Sequence, residues 1–307
     1  MDKKFATFLA VARTGSITEA ARTLNITQPT LTKRLQLLEG SLGCKLFQRL
    51  PRGIRLTAEG EGLLPHARRM QHEHFQGLEA VRAVRSGQLA DLRIGAGPLF
   101  HSRYLSWVFA HLRADHPETT PRLFADFNSR IVPRLLDGRL DLSFGTRSPD
   151  AERGGLAFHH LMDVERGLVV RKGHPAAQRR LAAAREMRGL GWVAFSNTDE
   201  MEDLVAAYLA AQALPPPDIL LQTTSLSLAF ETVATTDAAM VLPIQMAPVL
   251  SRHGLVVVRV TPSFGILPAG AHLRASAYEY PVVRRTIELM RDAIEQGGTD
   301  TPAADIP

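Results

Sequence analysis

The residues with the clearest chemical potential lie in a short segment near the amino terminus. Gln28, Thr30 and Thr32 carry groups that can hydrogen-bond the edges of bases, and Lys33 and Arg34 can reach phosphates or guanine. Apolar residues at helical spacing place all five on one helix. An ordinary amphipathic helix with a solvated polar face is the alternative interpretation, and periodicity alone favours it.

Two short helices are predicted to precede this segment. The first has apolar residues at helical spacing and ends at Gly15. The second begins at Ser16, which we expect to form a capping box with Glu19. Its inward-facing residues are predicted to be Ala20, Ala21 and Leu24.

The third helix is predicted to follow a tight turn at residues 25–26. Thr27 can cap it, and Pro29 falls in its first turn, where a missing N–H costs little. Gly43 ends it, and its buried stripe is predicted to be Leu31, Leu35, Leu38 and Leu42. A short helix, a turn and a longer helix make a helix-turn-helix, whose second helix can lie in the DNA major groove.

A basic hairpin is predicted directly after these helices. Residues 46–49 and 53–57 form two short strands around a turn at 51–53. Arg49, Arg52 and Arg55 lie within seven residues and suit contact with phosphates or the minor groove. A generic basic hairpin is the alternative interpretation.

Residues 58–86 are predicted to form one long helix, kinked near Pro65. An imperfect heptad seam runs along it, through Leu63, Ala67, Met70, His74, Gly77, Val81 and Val84. We expect a dimerisation arm, and the alternative is a helix that packs on its own domain.

Charge is distributed unevenly along the chain. The 307 residues suggest two or three domains, and the formal net charge is +5. Residues 1–86 hold 14 Lys and Arg against 7 Asp and Glu, a net of +7, so the remainder has a net of −2. A locally basic segment is typical of a protein that binds a polyanion, most often nucleic acid.

From residue 91 strands and helices alternate, which predicts an α/β domain with a mostly parallel sheet. The predicted helices cover 104–114, 131–136, 200–213, 226–234 and 282–296. The predicted strands cover 92–96, 123–127, 141–145, 167–171, 191–195, 219–223, 238–242, 255–260 and 273–277.

Several of these segments together resemble the LysR-type transcriptional regulators. The likeness is nearly continuous over residues 5–67, through stretches such as Gly15–Ala21 and Leu24–Thr32. It recurs at Leu92–Gly95, Leu136–Leu142 and Val170–Pro175. The resemblance implies an N-terminal all-α winged helix-turn-helix with a long linker helix. An α/β two-subdomain effector domain similar to type 2 periplasmic binding proteins would follow.

The resemblance also implies a domain division. We expect a DNA-binding domain at 1–57, a linker and dimerisation helix at 58–88, and an effector-binding domain at 89–307. Subdomain one would be 91–161 plus 267–296, and subdomain two 162–266. The expected partners are operator or promoter double-stranded DNA, a small-molecule effector, and a second copy through residues 58–86 that leads on to a homotetramer.

The expected DNA contacts combine the side-chain chemistry above with this resemblance, and the expected effector contacts are mapped from the family. DNA contacts are placed at Ser16, Thr27, Gln28, Pro29, Thr30, Thr32, Lys33, Arg34, Arg49, Arg52 and Arg55. Effector contacts are placed at Pro98, Leu99, Phe100, Asn128, Ser129, Thr146, Arg147, Phe195, Ser196, Thr223 and Thr224. Among these, Arg147 could pair with a carboxylate.

Other chemistry finds little support in the sequence. It contains no phosphate-binding G-x-x-x-x-G-K-[ST] loop and no G-x-S-x-G nucleophile elbow. His72 and His74 point to different faces of a helix, His159 and His160 are adjacent, and one cysteine, Cys44, cannot form an intramolecular disulfide. We expect no enzyme, no metal and no cofactor.

The remaining alternative class is a solute-binding or transport-accessory protein with a basic N-terminal arm. The first residues do not lead into the apolar core of a signal peptide, and no stretch approaches about 20 continuous apolar residues. These features disfavour that alternative and predict a cytoplasmic protein.

Overall fold

The computed structural model describes residues 2–49, 54–86, 91–179 and 181–297. They form two compact units. The first contains the residues up to Asp91 together with Pro133–Asp141, and the second contains Leu92–Val132 and the residues from Leu142 onward. The boundaries at 57 and 88 and the two subdomains stay predictions.

The helix-turn-helix and the hairpin are confirmed in the first unit. Its elements are α1 (Lys3–Thr14), α2 (Ile17–Thr23), α3 (Gln28–Leu42), β1 (Phe47–Arg49), β2 (Ile54–Leu56) and α4 (Ala58–Ser86). The hairpin pairs β1 and β2 antiparallel, and its predicted tip, with Arg52, lies outside the described residues.

Local signals set the ends of these helices much as predicted. Gly15 and Gly43 end α1 and α3 in the left-handed conformation that favours glycine. The Ser16 hydroxyl accepts a hydrogen bond from the Glu19 N–H. The capping box is incomplete, because the Ser16 N–H donates to the hydroxyl of Thr14, the place predicted for the Glu19 carboxylate.

The core of the first unit forms where the helices cross. Leu31, Leu35 and Leu38 of α3 are buried in a cluster that includes Phe8 and Phe47. The predicted fourth member, Leu42, is 45% exposed. It is the last residue of α3, where the chain turns away at Gly43, so helical spacing overestimates the length of the buried stripe.

The second unit alternates strands and helices as predicted. Its helices are α5 (Pro98–Arg103), α6 (Leu105–Asp115), α7 (Asn128–Leu136), α8 (Pro149–Arg153), α9 (Glu200–Ala211), α10 (Leu226–Thr235), α11 (Ala247–Arg252) and α12 (Pro281–Glu295). Residues 133–136, the end of α7, are counted with the first unit. Its strands are β3 (Asp91–Ala96), β4 (Thr120–Ala125), β5 (Leu142–Thr146), β6 (Ala157–Arg171), β7 (Leu181–Ala183), β8 (Gly191–Phe195), β9 (Asp218–Thr223), β10 (Met240–Pro243), β11 (Leu255–Thr261) and β12 (Ile266–Leu273).

The prediction of a mostly parallel sheet is wrong, because the sheet is mixed. Among the described residues, seven strands run in the order β4-β3-β5-β12-β6-β11-β7, and β10 also pairs with β6. The long strands β6 and β12 lie antiparallel to each other, and β12 is antiparallel to β5 as well. Parallel pairing is retained at β3–β5, β7–β11 and β8–β9.

Three further predictions for this unit are corrected. Residues 98–100, which fall between the predicted strand at 92–96 and the predicted helix at 104–114, begin the short helix α5. The strand predicted at 273–277 instead ends at Leu273, and a 3-10 turn over Ala275–Glu279 follows. The strand predicted at 167–171 is the last third of β6, which begins at Ala157.

Candidate nucleic-acid face and ligand cavity

The start of α3 presents a cluster of polar side chains to solvent. Gln28, Pro29, Thr30 and Lys33 are exposed. The Thr27 hydroxyl accepts from the Thr30 N–H at 3.4 Å and lies 2.8 Å from the Thr30 hydroxyl. Thr27 therefore caps the helix as predicted, and the exposed residues occupy the first two turns.

The remaining predicted residues of this face are less exposed. Thr32 and Arg34 are half-buried, and Ser16 is half-buried at the start of α2. Neither Lys33 nor Arg34 forms an ion pair with another residue in the part of the chain that the structure describes. Both cations therefore remain available to an outside anion.

A sharp turn sets the direction of α3 relative to α2. Asn25 has a φ of 51°, in the left-handed region that asparagine tolerates better than most residues. The Ile26 N–H donates to the Ala21 carbonyl at 3.0 Å, which closes the turn. The buried leucines of α3 then hold the exposed side of its first turns outward.

The base of the hairpin is tied to the end of α3 by Glu39. Its carboxylate accepts hydrogen bonds from Lys45 Nζ at 2.8 Å and from the Leu46 N–H at 2.9 Å. Burial would raise the pKa of Glu39, but these hydrogen bonds outweigh it and leave the pKa below its ordinary value. The Ile54 N–H also donates to the Gly15 carbonyl at 3.2 Å.

One of the three predicted hairpin arginines can be placed with its side chain. Arg55 is exposed on β2, opposite the exposed Gln48 on β1. Arg49 lies in β1, but its side chain and all of Arg52 fall outside the described part. Gln48 was not singled out from the sequence, although the predicted pairing of the two strands was a usable signal, because it places Gln48 next to Arg55 on one face of the hairpin.

The predicted seam of α4 has two parts. Ala67 is buried and Leu63 half-buried against the core of the first unit. Met70 is 42% exposed and Val81 is 63% exposed. The first turns of α4 therefore pack on their own unit, and apolar side chains beyond them face solvent in the single chain.

A cavity of about 170 Å³ opens in the second unit, where β3, β5 and β8 reach their carboxyl ends. Seven predicted residues line it: Pro98, Leu99, Phe100, Asn128, Thr146, Phe195 and Ser196. Most of the other lining residues are apolar: Phe127, Val164, Met201, Val241, Leu242, Pro243 and Leu267. The Phe127 and Phe195 rings lie 5.0 Å apart.

Asn128 is fixed in one orientation within this cavity. Its Nδ2 donates to the Thr146 carbonyl at 2.8 Å and lies 3.0 Å from the Thr146 hydroxyl. Gly145 makes room for it, since a Cβ there would collide with the Asn128 amide oxygen. A ligand would meet an amide already held by the protein.

Two charged side chains line the cavity, Arg166 and Glu200, and sequence reasoning singled out neither. Burial lowers the pKa of Arg166, and the negative charge of Glu200 opposes that shift. Glu200 is exposed, whereas Arg166 is half-buried. An arginine between polar and apolar strand residues carries no distinctive sequence signal, so its role depends on the fold.

Four predicted residues lie outside the cavity. Arg147 pairs with Glu152, and its guanidinium lies over the Phe158 ring. Ser129 donates to the Asn197 side-chain oxygen at 2.9 Å. Thr223 and Thr224 line a neighbouring polar depression together with Ser196. The carboxylate expected to meet Arg147 from a ligand is thus supplied by the chain itself.

The described residues contain neither a membrane-spanning helix nor a metal-binding cluster. None of their helices is long and apolar enough to cross a membrane. No group of three or more His, Cys, Asp and Glu side chains within them is arranged to hold a metal ion.

Comparison with protein families gives two matches that together cover most of the chain. Residues 3–61 match the model described as "Bacterial regulatory helix-turn-helix protein, lysR family". Residues 85–295 match the "LysR substrate binding domain".

Individual proteins show the same likeness. A "Small neutral protease regulatory protein" of Streptomyces coelicolor is 31% identical over 287 residues, 87% of this chain and 89% of the relative. The "HTH-type transcriptional regulator PcaQ" of Agrobacterium fabrum is 28% identical over 238 residues, 77% of this chain and 76% of the relative.

Solved structures share the fold over nearly the whole length. The crystal structure of CbnR, described as a LysR family transcriptional regulator, has a TM-score of 0.63 at 20% identity and covers 98% of this chain and 100% of its own. Full-length CbnR in complex with its target DNA has a TM-score of 0.62 at 21% identity, with 95% and 100% coverage.

Proposed function

The chain belongs to the LysR family of bacterial transcriptional regulators, and from this premise we propose how its parts act. The start of α3 binds the major groove of operator DNA through Gln28, Thr30, Lys33 and Arg34. The β1–β2 hairpin contacts the adjacent backbone through Arg55. The cavity of the second unit binds a small effector that alters DNA binding, and the protein acts in the cytoplasm.

One observation carries this proposal. The first two turns of α3 expose amide, hydroxyl and ammonium groups while the opposite side of the helix is buried. A recognition helix needs this division, because its N-terminal residues must reach base edges without disturbing the core. Lys33 and Arg34, which have no ion pair among the described residues, can then neutralise phosphates.

The oligomer is proposed on the solvent-facing part of α4. Met70 and Val81 are apolar and exposed in the single chain. Pairing two α4 helices along this seam would remove both from water, which favours association. A dimer would present two recognition helices to two half-sites, and two dimers would form the expected tetramer.

The alternative of a solute-binding protein with a basic arm gains no support. The amino-terminal residues match a regulatory helix-turn-helix model, and the relatives named above are regulators. The family is one of regulators, and we propose that this chain carries out no catalysis of its own.

Gel-shift titration of the full chain against the DNA flanking its own gene tests the proposal. We expect saturable binding that weakens with salt, since each phosphate contact releases counterions. Lys33→Ala should weaken binding at every sequence and reduce the slope of log K against log salt by about 1. Arg34→Ala removes a proposed base contact and should cost about 1–3 kcal/mol of specific binding.

Arg113→Ala is the matched control. It removes the same charge from α6 in the second unit and should leave the titration unchanged. Operator binding that survives both α3 substitutions, or that Arg113→Ala weakens equally, would refute the proposed face.

A further inference from the structure

Arg166 occupies a distinctive place in β6, where the strand changes partners. Glu165 still lies opposite Ile266 of β12, whereas Arg166 lies opposite Pro243 of β10. The Arg166 N–H donates to the Gly265 carbonyl at 3.2 Å, so its backbone is held. The side chain extends from this junction to the cavity.

Within the described part of the chain, no hydrogen bond or ion pair offsets the partial removal of the Arg166 guanidinium from water. It forms no hydrogen bond or ion pair with any side chain that the structure describes. Glu200, the other charged residue of the cavity lining, is exposed and bears on Arg166 only through its charge. A cation that is partly removed from water without a hydrogen-bonding partner is costly, and a bound anion would reduce that cost.

The walls around this cation are mainly apolar. The Phe127 and Phe195 rings pack against each other in the cavity wall, with centroids 5.0 Å apart and planes tilted by 59°, and Val241, Leu242 and Leu267 add aliphatic surface. The volume of about 170 Å³ is close to the ~150 Å³ of a cavity that holds benzene. The space therefore fits an apolar body of about one ring.

We propose that the cavity binds a compact monocarboxylate with an apolar body of about one ring, and that the Arg166 guanidinium receives its carboxylate. This inference rests on the proposed function of the cavity as the effector site. A planar guanidinium can hold a carboxylate through two parallel hydrogen bonds, which gives geometric specificity as well as charge. Arg166 lies at the point where β6 stops pairing with β12 and begins to pair with β10. An anion held by Arg166 would therefore be bound at the junction of these two strand pairs.

Calorimetric titration and thermal shift of the full-length protein test the inference. The probes are cyclohexanecarboxylate and benzoate, with benzamide as the neutral isostere, benzylamine as the cation, and sulfate as an anion without an apolar body. We expect the two carboxylates to bind at least tenfold more tightly than any of the other three. Equal binding of benzamide, preference for benzylamine, equal binding of sulfate, or no binding of either carboxylate would each overturn the inference.

Two variants assign the effect to one side chain. Arg166→Met should abolish carboxylate binding while the unliganded protein melts at the same temperature or higher, since an unpaired charge has been removed. Arg147→Gln is the matched control: it removes a guanidinium committed to Glu152 outside the cavity and should bind the carboxylates like the parent. Unchanged binding by Arg166→Met, or a marked loss of its melting temperature, contradicts a role as anion receptor.

Operator binding by the same preparations separates the two claims. Loss of carboxylate binding in Arg166→Met with operator binding intact supports the inference. Operator binding with no carboxylate binding in the parent protein refutes the inference alone, and absence of operator binding in the parent refutes the proposed function.

Discussion

Two glycines in the first turns of α4 should respond oppositely to the same substitution. Gly60 and Gly62 both lie inside the helix, where alanine is intrinsically better by about 0.5–1 kcal/mol. A Cβ at Gly62 would have nothing within 4 Å. At Gly60 it would fall 2.9 Å from Leu56 Cδ2 and 3.1 Å from the Leu46 carbonyl carbon, and closer still to the carbonyl oxygen.

The free-energy cost of alanine at Gly60 depends on which neighbouring atoms must move. The Leu46 carbonyl already accepts the Thr57 N–H at 3.0 Å, so it is anchored backbone and not a flexible side-chain end. Overpacking of this kind costs about 1–3 kcal/mol, and strain on that hydrogen bond adds about 1 kcal/mol. Gly60→Ala should therefore destabilise the first unit by about 1–3 kcal/mol net, whereas Gly62→Ala should stabilise it by up to about 1 kcal/mol.

The assay must report on the first unit alone. The two tryptophans of the chain, Trp107 and Trp192, lie in the second unit, so intrinsic fluorescence does not follow the first. Hydrogen exchange of the backbone amides in α3 and β1 follows the unfolding of the first unit, and the protection of these amides gives the free energy of opening. Equal protection in the two variants, or greater protection in Gly60→Ala, would refute the packing argument.

Three further predictions concern other parts of the chain. His272 is fully buried, and burial lowers its pKa to about 4. In the unfolded chain this histidine takes up a proton near pH 6.5, whereas in the folded protein it stays neutral until about pH 4. The neutral histidine therefore contributes stability above about pH 6.5, and this stability is lost as the pH falls toward 4. The free energy of unfolding should therefore drop by about 2 kcal/mol more between pH 7 and 5 in the parent than in His272→Gln, and equal drops in the two proteins would contradict this. Glu39→Ala leaves the Leu46 N–H buried without its acceptor and should cost about 1–3 kcal/mol of first-unit stability, seen as faster hydrogen exchange in β1; unchanged exchange would contradict this. Val81→Glu places a charge on the exposed seam of α4 and should shift sedimentation toward the monomer, and an unchanged profile would exclude that seam as the interface.

Local signals in the sequence were enough to place the ends of α1, α2 and α3. Ser16 and Thr27 cap their helices, Gly15 and Gly43 end theirs, and each effect acts within a few residues. Leu42 was wrongly predicted to be buried, because the spacing of leucines along α3 does not show where the helices packed against it end.

The sheet was harder to predict because its central strands depend on distant partners. β12 contains Pro268 and Gly270, which disfavour a strand, yet β5 and β6 pair with it from both sides. A Cβ at Gly270 would collide with the His159 carbonyl, so this glycine permits the close approach. Such pairing joins residues more than a hundred positions apart and leaves no local pattern.

The residues that line the cavity were partly predictable from the sequence. The ends of predicted strands indicated Asn128, Thr146 and Ser196, and all three line the cavity. Arg147 also follows the end of a strand, but its guanidinium pairs with Glu152 and lies outside the cavity. Arg166 lies at a change of strand partners, which only the three-dimensional pairing reveals.

Site-directed cleavage of operator DNA tests the central claim, that the start of α3 lies in the major groove. After Cys44→Ser removes the single cysteine, Gln28→Cys or Ser41→Cys gives one attachment point for an iron chelate on the exposed surface of α3. The two positions are separated by about 20 Å along the helix at 1.5 Å per residue. We predict focused cleavage in each half-site from residue 28 and weak cleavage from residue 41; equal or stronger cleavage from residue 41 would contradict the account.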